Sequence, residues 1–191
     1  MTPEQYLELE REAEFKSEYY QGHVYAMSGG SFPHGQIIGN LTLWLALALE
    51  KRPCSVIPND LRVRAAPDGL YPYSDRVVVC GKPQFAGGHG DTLLNPALLI
   101  EVLSPSTEAY DRGFKSAQYR TIESLQEYAL VSQTEPRVEI FTRQPGAHWL
   151  LSEAVGLESS CRFESVDCGA ALAEIYDKIT FAEEAAQGVE S

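Results

Sequence analysis

A glutamate inside an apolar run is the first residue that needs a chemical reason. Glu101 sits in Ala97-Leu98-Leu99-Ile100-Glu101-Val102-Leu103, and a short continuous apolar run reads as a strand buried on both faces. A carboxylate there loses several kcal/mol of solvation unless a cation or hydrogen-bond donors replace the water. Asp75 opens the preceding apolar run, Ser74-Asp75-Arg76-Val77-Val78-Val79-Cys80. If the two strands are neighbours, both carboxylates converge at one end of a sheet. Two hard oxygen donors, with water in the other positions, are what Mg²⁺ or Mn²⁺ needs. Such an ion polarises a phosphoryl oxygen and makes a bound water more acidic. Lys115 lies just beyond, in Tyr110-Asp111-Arg112-Gly113-Phe114-Lys115. A crossover helix would carry it back over the carboxylates, where an ammonium orients water or stabilises phosphate charge. The plainer readings are a buried ion pair for Glu101, a turn or cap residue for Asp75 and a solvated surface lysine for Lys115.

Three further residues are accessory candidates. Glu18 precedes a strand. His34 opens a long helix, where the positive end of the helix favours an anion or a neutral imidazole. Asp60, in Asn59-Asp60-Leu61-Arg62, is a candidate extra ligand or a partner of Arg62. Arg62, Arg112 and Arg120 are candidate phosphate contacts, within a wider basic set of Arg64, Arg76, Lys82 and Lys115. Solvated surface charge is the plain alternative for each.

These residues need a frame. Thr2-Pro3-Glu4-Gln5 is a capping box with proline at the first helical position, so a helix is expected from Pro3 to about Lys16. The aromatic and β-branched segment from Glu18 to Met27 reads as a hairpin around Gln21-Gly22. A second helix, Pro33 to Lys51, carries Ile37, Leu41, Trp44, Leu45 and Ala48 on one face. Its other face is also apolar, so deep burial is expected. Strands are expected at Cys54–Arg64, Ser74–Cys80, Ala97–Leu103 and Glu127–Val131, and a hairpin at Arg137–Arg143 and His148–Leu151. Pro67-Asp68-Gly69 marks a turn, and Gly81–Asn95 a long loop. A helix is expected from Glu108 to about Ile122, and a short one at Ala170–Ile179. This order indicates an α/β or α+β domain around one mixed sheet. The expected extent is a single domain over 1–182, with 183–191 a frayed acidic tail.

Composition narrows the class. At 191 residues, with 44% apolar and 22% charged residues, the chain is ordinary globular protein and not a disordered, collagenous or disulfide-scaffold sequence. The longest apolar stretch, Leu41–Leu49, is too short to span a bilayer. The acidic N-terminus lacks the apolar run of a secretory signal, so a cytoplasmic home is expected. Cys54, Cys80, Cys161 and Cys168 show no metal-site spacing and read as reduced, mostly buried thiols. The net charge of −12 argues against nucleic acid, but the excess sits at the ends. Residues 1–18 carry a net −4 and 153–191 a net −7, which leaves −1 for the middle.

The order of these motifs carries a resemblance. YSDRVVVC, LLIEVLSPSTEAYDRGFKSAQYR and SLQEYALV, preceded by SEYYQGHVYAMSGGSFPHGQI and PNDLRVR, resemble the bacterial Uma-type putative restriction endonucleases over roughly residues 5–180. The resemblance implies a PD-(D/E)XK restriction-endonuclease-like core: a central mixed β-sheet flanked by helices, with an N-terminal helix and hairpin. It also implies divalent-metal-dependent phosphodiester cleavage, with Asp75 and Glu101 matching the metal-binding carboxylates and Glu18 matching a family glutamate. Ser74 stands where proline usually precedes the aspartate, and Leu103 where the strand lysine would be. Lys115 looks like a migrated substitute for that lysine. Family members resemble homodimers.

Three functions compete at this level. The first is an Mg²⁺- or Mn²⁺-dependent nuclease acting on DNA through Asp75, Glu101 and Lys115. The second is a binding or regulatory module that keeps the fold without the chemistry, which Ser74, Leu103 and the net charge favour. The third is a small-molecule phosphoesterase, which suits the acidic ends.

Overall fold

The structure is a computed structural model that describes residues 1–27, 29–66 and 69–181. The chain opens with helix α1 (Pro3–Glu12), whose Thr2 hydroxyl accepts the Gln5 N–H while the Gln5 side chain accepts the Thr2 N–H. This is the capping box expected from sequence. A two-stranded hairpin follows, β1 (Ser17–Tyr20) and β2 (His23–Ala26). Its turn places Gln21 and Gly22 at φ 43° and 90°, the left-handed pair that matches strand twist and that Gly22 makes cheap. Helix α2 (Phe32–Leu49) is capped by Ser31, whose Oγ accepts the His34 N–H.

Then come β3 (Cys54–Ile57), β4 (Arg62–Val63), β5 (Arg76–Cys80), β6 (Thr92–Leu93) and β7 (Leu98–Leu103). A helical crossover follows: α3 (Glu108–Tyr110), a π-helical turn (Asp111–Lys115) and α4 (Ser116–Tyr119). The chain continues through β8 (Glu127–Ser132), β9 (Arg137–Gln144), β10 (His148–Val155), β11 (Ser160–Phe163), β12 (Cys168–Ala171) and α5 (Leu172–Ile175). The central sheet has six strands in the order β10-β9-β8-β7-β5-β3. Only the β7–β8 pair in it is parallel, as a helical crossover requires.

Period-two alternation in β7 divides the core. Leu98, Ile100 and Val102 join the layer under α2 and α5, with Ile37, Leu41 and Leu45. Leu99 and Leu103 join the opposite layer with Val77, Val79 and Tyr119. Glu101 has the parity of that second layer, so it points towards the crossover.

Several expectations need correction. The strand expected at Cys54–Arg64 is two strands in two sheets, because Pro58 has no N–H to continue a ladder. The hairpin β11–β12 has no clear signal in the sequence, since Ser160–Phe163 and Cys168–Ala171 carry weak strand composition. The terminal helix is one turn, and α1 stops at Glu12. Helix α2 is not buried all round. One face seals the sheet, while Leu43 and Leu47 are 63% and 67% exposed because no layer lies beyond them. Pro67 and Asp68 of the expected turn, and the expected tail, lie outside the described residues.

The cysteine expectation fails for two of the four. Cys54 and Cys80 form a disulfide, because they face each other across the antiparallel β3–β5 pair; Cys161 and Cys168 are free and buried. Linear spacing carries no sign of that register. Disulfides are unusual in reducing compartments, yet this one ties an edge strand to the strand led by Asp75. Reduction should therefore lower the unfolding free energy by about 2–4 kcal/mol, read from urea denaturation with and without a thiol reductant.

Candidate active site

The end of β5 determines where Asp75 goes. The ladder between β5 and β7 runs from Val78↔Leu98 to Arg76↔Ile100, and β7 continues beyond it. The Val102 N–H is left without a strand partner on that side, and the Asp75 carboxylate takes it, with Oδ2 at 2.8 Å. Ser74 is fully buried, and its hydroxyl lies 3.0 Å from the Ile100 carbonyl and 3.1 Å from the Arg76 carbonyl. The residue that replaces proline is thus a polar link between the two strands. Arg76 is buried under α2. It bonds the Asp75 carbonyl, the Thr42 hydroxyl and, at 3.2 Å, the Ile38 carbonyl. Burial pulls the Arg76 guanidinium below its ordinary pKa, against Asp75 and Asp60.

His34 reaches Asp75 from the first turn of α2, with Nε2 3.3 Å from Oδ2. The hydrogen bond to Asp75 raises the His34 pKa, with burial opposing it. Gly30 leaves room for the ring: a Cβ there would fall 2.7 Å from His34 Nδ1. Gly30→Ala should push the imidazole off Asp75. Activity should fall by about 10- to 100-fold with the melting temperature near wild type, checked by rate and thermal melt on the same preparation.

Glu101 is 3% exposed. Its Oε1 accepts the Tyr119 hydroxyl at 2.8 Å and lies 3.0 Å from Lys115 Nζ. Its Oε2 has a single long contact, the Asp75 N–H at 3.4 Å. Burial pushes the Glu101 carboxyl up to about 8; the Lys115 ammonium opposes this, and Asp75 and Asp111 add to it.

Lys115 arrives on the π-helical turn. Asp111 and Lys115, four residues apart on one face, are both inside, at 5% exposure each. Nζ lies 3.0 Å from the Tyr73 carbonyl, 3.0 Å from Glu101 Oε1, 3.3 Å from Glu18 Oε1 and 3.7 Å from Asp111 Oδ1. Burial alone would depress this lysine, but Glu101, Glu18 and Asp111 outweigh it and hold it charged, well above the ordinary value. One N–H donates to the Tyr73 carbonyl, and the ammonium forms ion pairs with Glu101 and Glu18. Glu18 Oε2 in turn accepts the Tyr110 hydroxyl at 2.9 Å.

Asp75, Glu101, Lys115, Glu18 and His34 thus line one cleft of about 1040 Å³. Asp60 lies outside it, exposed and paired with Lys16. Arg62 is turned away: its guanidinium lies 2.8 Å from Asp91 Oδ2 and 3.1 Å from the Tyr73 hydroxyl. Arg112 is tied to Glu108 at 2.7 Å and to Glu139. Arg120 is exposed and is not in the lining. Leu103, in the strand-lysine position, is buried in the core and supplies no cation. Asp111 and Tyr119 complete the inner network. Their signal in the sequence was only their place on the segment that carries Lys115.

The residues suit a divalent ion to a limited degree. Among the described residues no three His, Cys, Asp or Glu side chains form a ready cage. Asp75 Oδ1 and Glu101 Oε2, however, are oxygens of neighbouring carboxylates on the cleft wall, without a short hydrogen bond among the described residues. A hydrated ion held by one or two carboxylates fits that donor set.

The profile of the Uma2 family, described as "Putative restriction endonuclease", matches residues 3–171. The chain belongs to this family. Two Synechocystis proteins that bear the name uncharacterized, sll1609 and slr1290, are 34% and 33% identical to it. The alignments cover 85% and 95% of this chain and 92% and 94% of those proteins. The crystal structure of a putative nuclease of the DUF820 group from Anabaena variabilis superposes with a TM-score of 0.76 at 16% identity, covering 94% of this Uma2 chain and 99% of that one. The likeness shows the same mixed α/β fold. No helix among the described residues of this family member is long and apolar enough to cross a membrane.

Proposed function

We propose that this Uma2-family protein is a divalent-metal-dependent nuclease that hydrolyses phosphodiester bonds in DNA in the cytoplasm. The observation that carries the reading is the juxtaposition of Asp75 and Glu101 at the end of the β5–β7 ladder, backed by a buried lysine. Asp75 and Glu101 would hold Mg²⁺ or Mn²⁺. A bound ion supplies polarisation of a phosphoryl oxygen and a more acidic water. His34, in the first turn of α2, keeps Asp75 oriented. Tyr119 and Lys115 fix Glu101 so that Oε2 is the oxygen presented to the cleft. Lys115 is better described as a positioning residue than as a catalytic group, because its ammonium is buried and already engaged by the Tyr73 carbonyl, Glu101 and Glu18. Glu18 is the second anchor of that lysine.

The exposed Leu43 and Leu47 on α2 support a homodimer. The test of function is cleavage of labelled single-stranded and duplex DNA in Mg²⁺ or Mn²⁺, with EDTA and Glu101→Gln as controls. Metal-dependent cleavage that both controls abolish is expected. Metal binding without cleavage of any nucleic acid would turn the assignment to a binding module, a reading that the buried Leu103 and the ion-paired Lys115 favour. Turnover of small phosphoesters alone would make it a phosphoesterase.

A further inference from the structure

The cleft that holds Asp75 and Glu101 is poorly made for a double helix. Its described lining has four carboxylates, Glu18, Asp75, Glu101 and Asp111, and Lys115 is the lone Lys or Arg among them. That lysine is buried and already paired with Glu18 and Glu101, and it bonds the Tyr73 carbonyl. The arginines that would grip phosphates, Arg62 and Arg112, are held in ion pairs outside the lining. Duplex affinity comes mainly from several Lys and Arg contacts to phosphate, with the release of counterions. A chain of net charge −12 with this cleft does not offer them.

What the cleft offers is aromatic surface. Tyr20, Tyr110 and Phe114 form a continuous wall: the Tyr20 and Phe114 rings meet edge-on at 4.7 Å, and Tyr110 and Phe114 stack at 5.7 Å. Tyr25 stands at the rim and is 54% exposed. The hairpin register sets Tyr25 opposite Glu18, so both side chains lie on the cleft face. Gly29, where an added Cβ would meet no atom within 4 Å, also lines the cleft. Rings beside a catalytic centre suit unpaired bases, because every base has a face to stack and stacking tolerates sequence.

We infer that the substrate of this cleft is an unpaired DNA segment, held by base stacking on Tyr25 and the Tyr20–Phe114–Tyr110 wall more than by phosphate charge. The inference rests on the nuclease reading and narrows it.

The test is a competition. A labelled single strand of twelve nucleotides and the same strand in a duplex are mixed in equal amounts with the full chain in Mn²⁺. The single strand should be consumed about tenfold faster or more. Tyr25→Ala should erase most of that preference without moving the melting temperature, since this ring is largely exposed. Binding of the single strand, followed by anisotropy, should weaken by about tenfold in Tyr25→Ala. It should also show a shallower salt dependence than a groove with many phosphate contacts would give. A duplex cut as fast as the single strand, or a preference untouched by both Tyr25→Ala and Phe114→Leu, overturns the inference and leaves the nuclease reading standing. If neither DNA is cut, the nuclease reading fails, and anisotropy alone decides: binding lost in Tyr25→Ala upholds the stacking site, and absence of binding overturns it.

Discussion

Glu101→Gln should abolish Mn²⁺ binding and reduce metal-dependent cleavage by at least about 10³-fold, with the fold intact. The amide keeps the size of the carboxylate and can still accept from the Tyr119 hydroxyl and Lys115, which now meet Glu101 Oε1 at 2.8 and 3.0 Å. What disappears is the charge that would hold a cation. Calorimetric titration with Mn²⁺ beside a cleavage assay checks both halves. Retention of metal binding and cleavage in the variant would remove Glu101 from the site.

The stability of the metal-free protein gives a second, independent readout. Burial raises the Glu101 carboxyl from 4.5 to about 8. The folded state therefore binds this proton more tightly than the unfolded chain does. The resulting stabilisation is complete below pH 4.5 and is lost as pH rises through about 8. An amide has no such proton to lose, so Glu101→Gln should lose less stability than wild type between pH 5 and 8. Parallel denaturation curves across that range test the sign.

Lys115→Met should be the most destabilising single change at the site, by about 3–5 kcal/mol at neutral pH, and should remove activity with it. Methionine fills the space, but Glu101, Glu18 and Asp111 lose the buried cation they share. Burial already pushes Glu101 and Asp111 upward with the lysine present. Without it they rise further and take up protons, so the deficit should shrink as pH falls towards 5. The double variant Lys115→Met/Glu101→Gln should match Lys115→Met at neutral pH, where Glu101 already holds a proton, and exceed it in stability only at alkaline pH, where that proton is lost. Urea denaturation of the three variants at two pH values measures all of this. A wild-type melting temperature for Lys115→Met would mean that the ammonium does not neutralise the cluster.

Much of the frame was legible because local signals agree. The Thr2 capping box, the Gln21-Gly22 turn and the apolar β5 and β7 runs each depend on a few neighbouring residues, and each appears in the fold. The features that escaped depend on register. The Cys54–Cys80 bridge needs two strands aligned at a sequence separation of 26. The exposure of Leu43 and Leu47 depends on whether another layer exists above α2, and an apolar pattern does not say. The arginines looked like a basic face because sequence shows charge but not partner; Asp91, Glu108 and Glu139 are distant or hidden in the pattern.

The amino-acid sequence by itself determined that this is a mixed α/β domain with an odd carboxylate in a central strand, because burial, periodicity and desolvation cost are local properties of that strand. It also displayed the motif order that marks the family. Only the tertiary structure decided which charges meet. The β5–β7 ladder stops early enough for Asp75 to cap the Val102 N–H, and the crossover carries Lys115 inside. The meeting of Glu18 from the hairpin with Glu101 from the sheet around one ammonium is a long-range event. The attraction among these groups must offset the cost of taking them out of water, a balance that no spacing along the chain encodes.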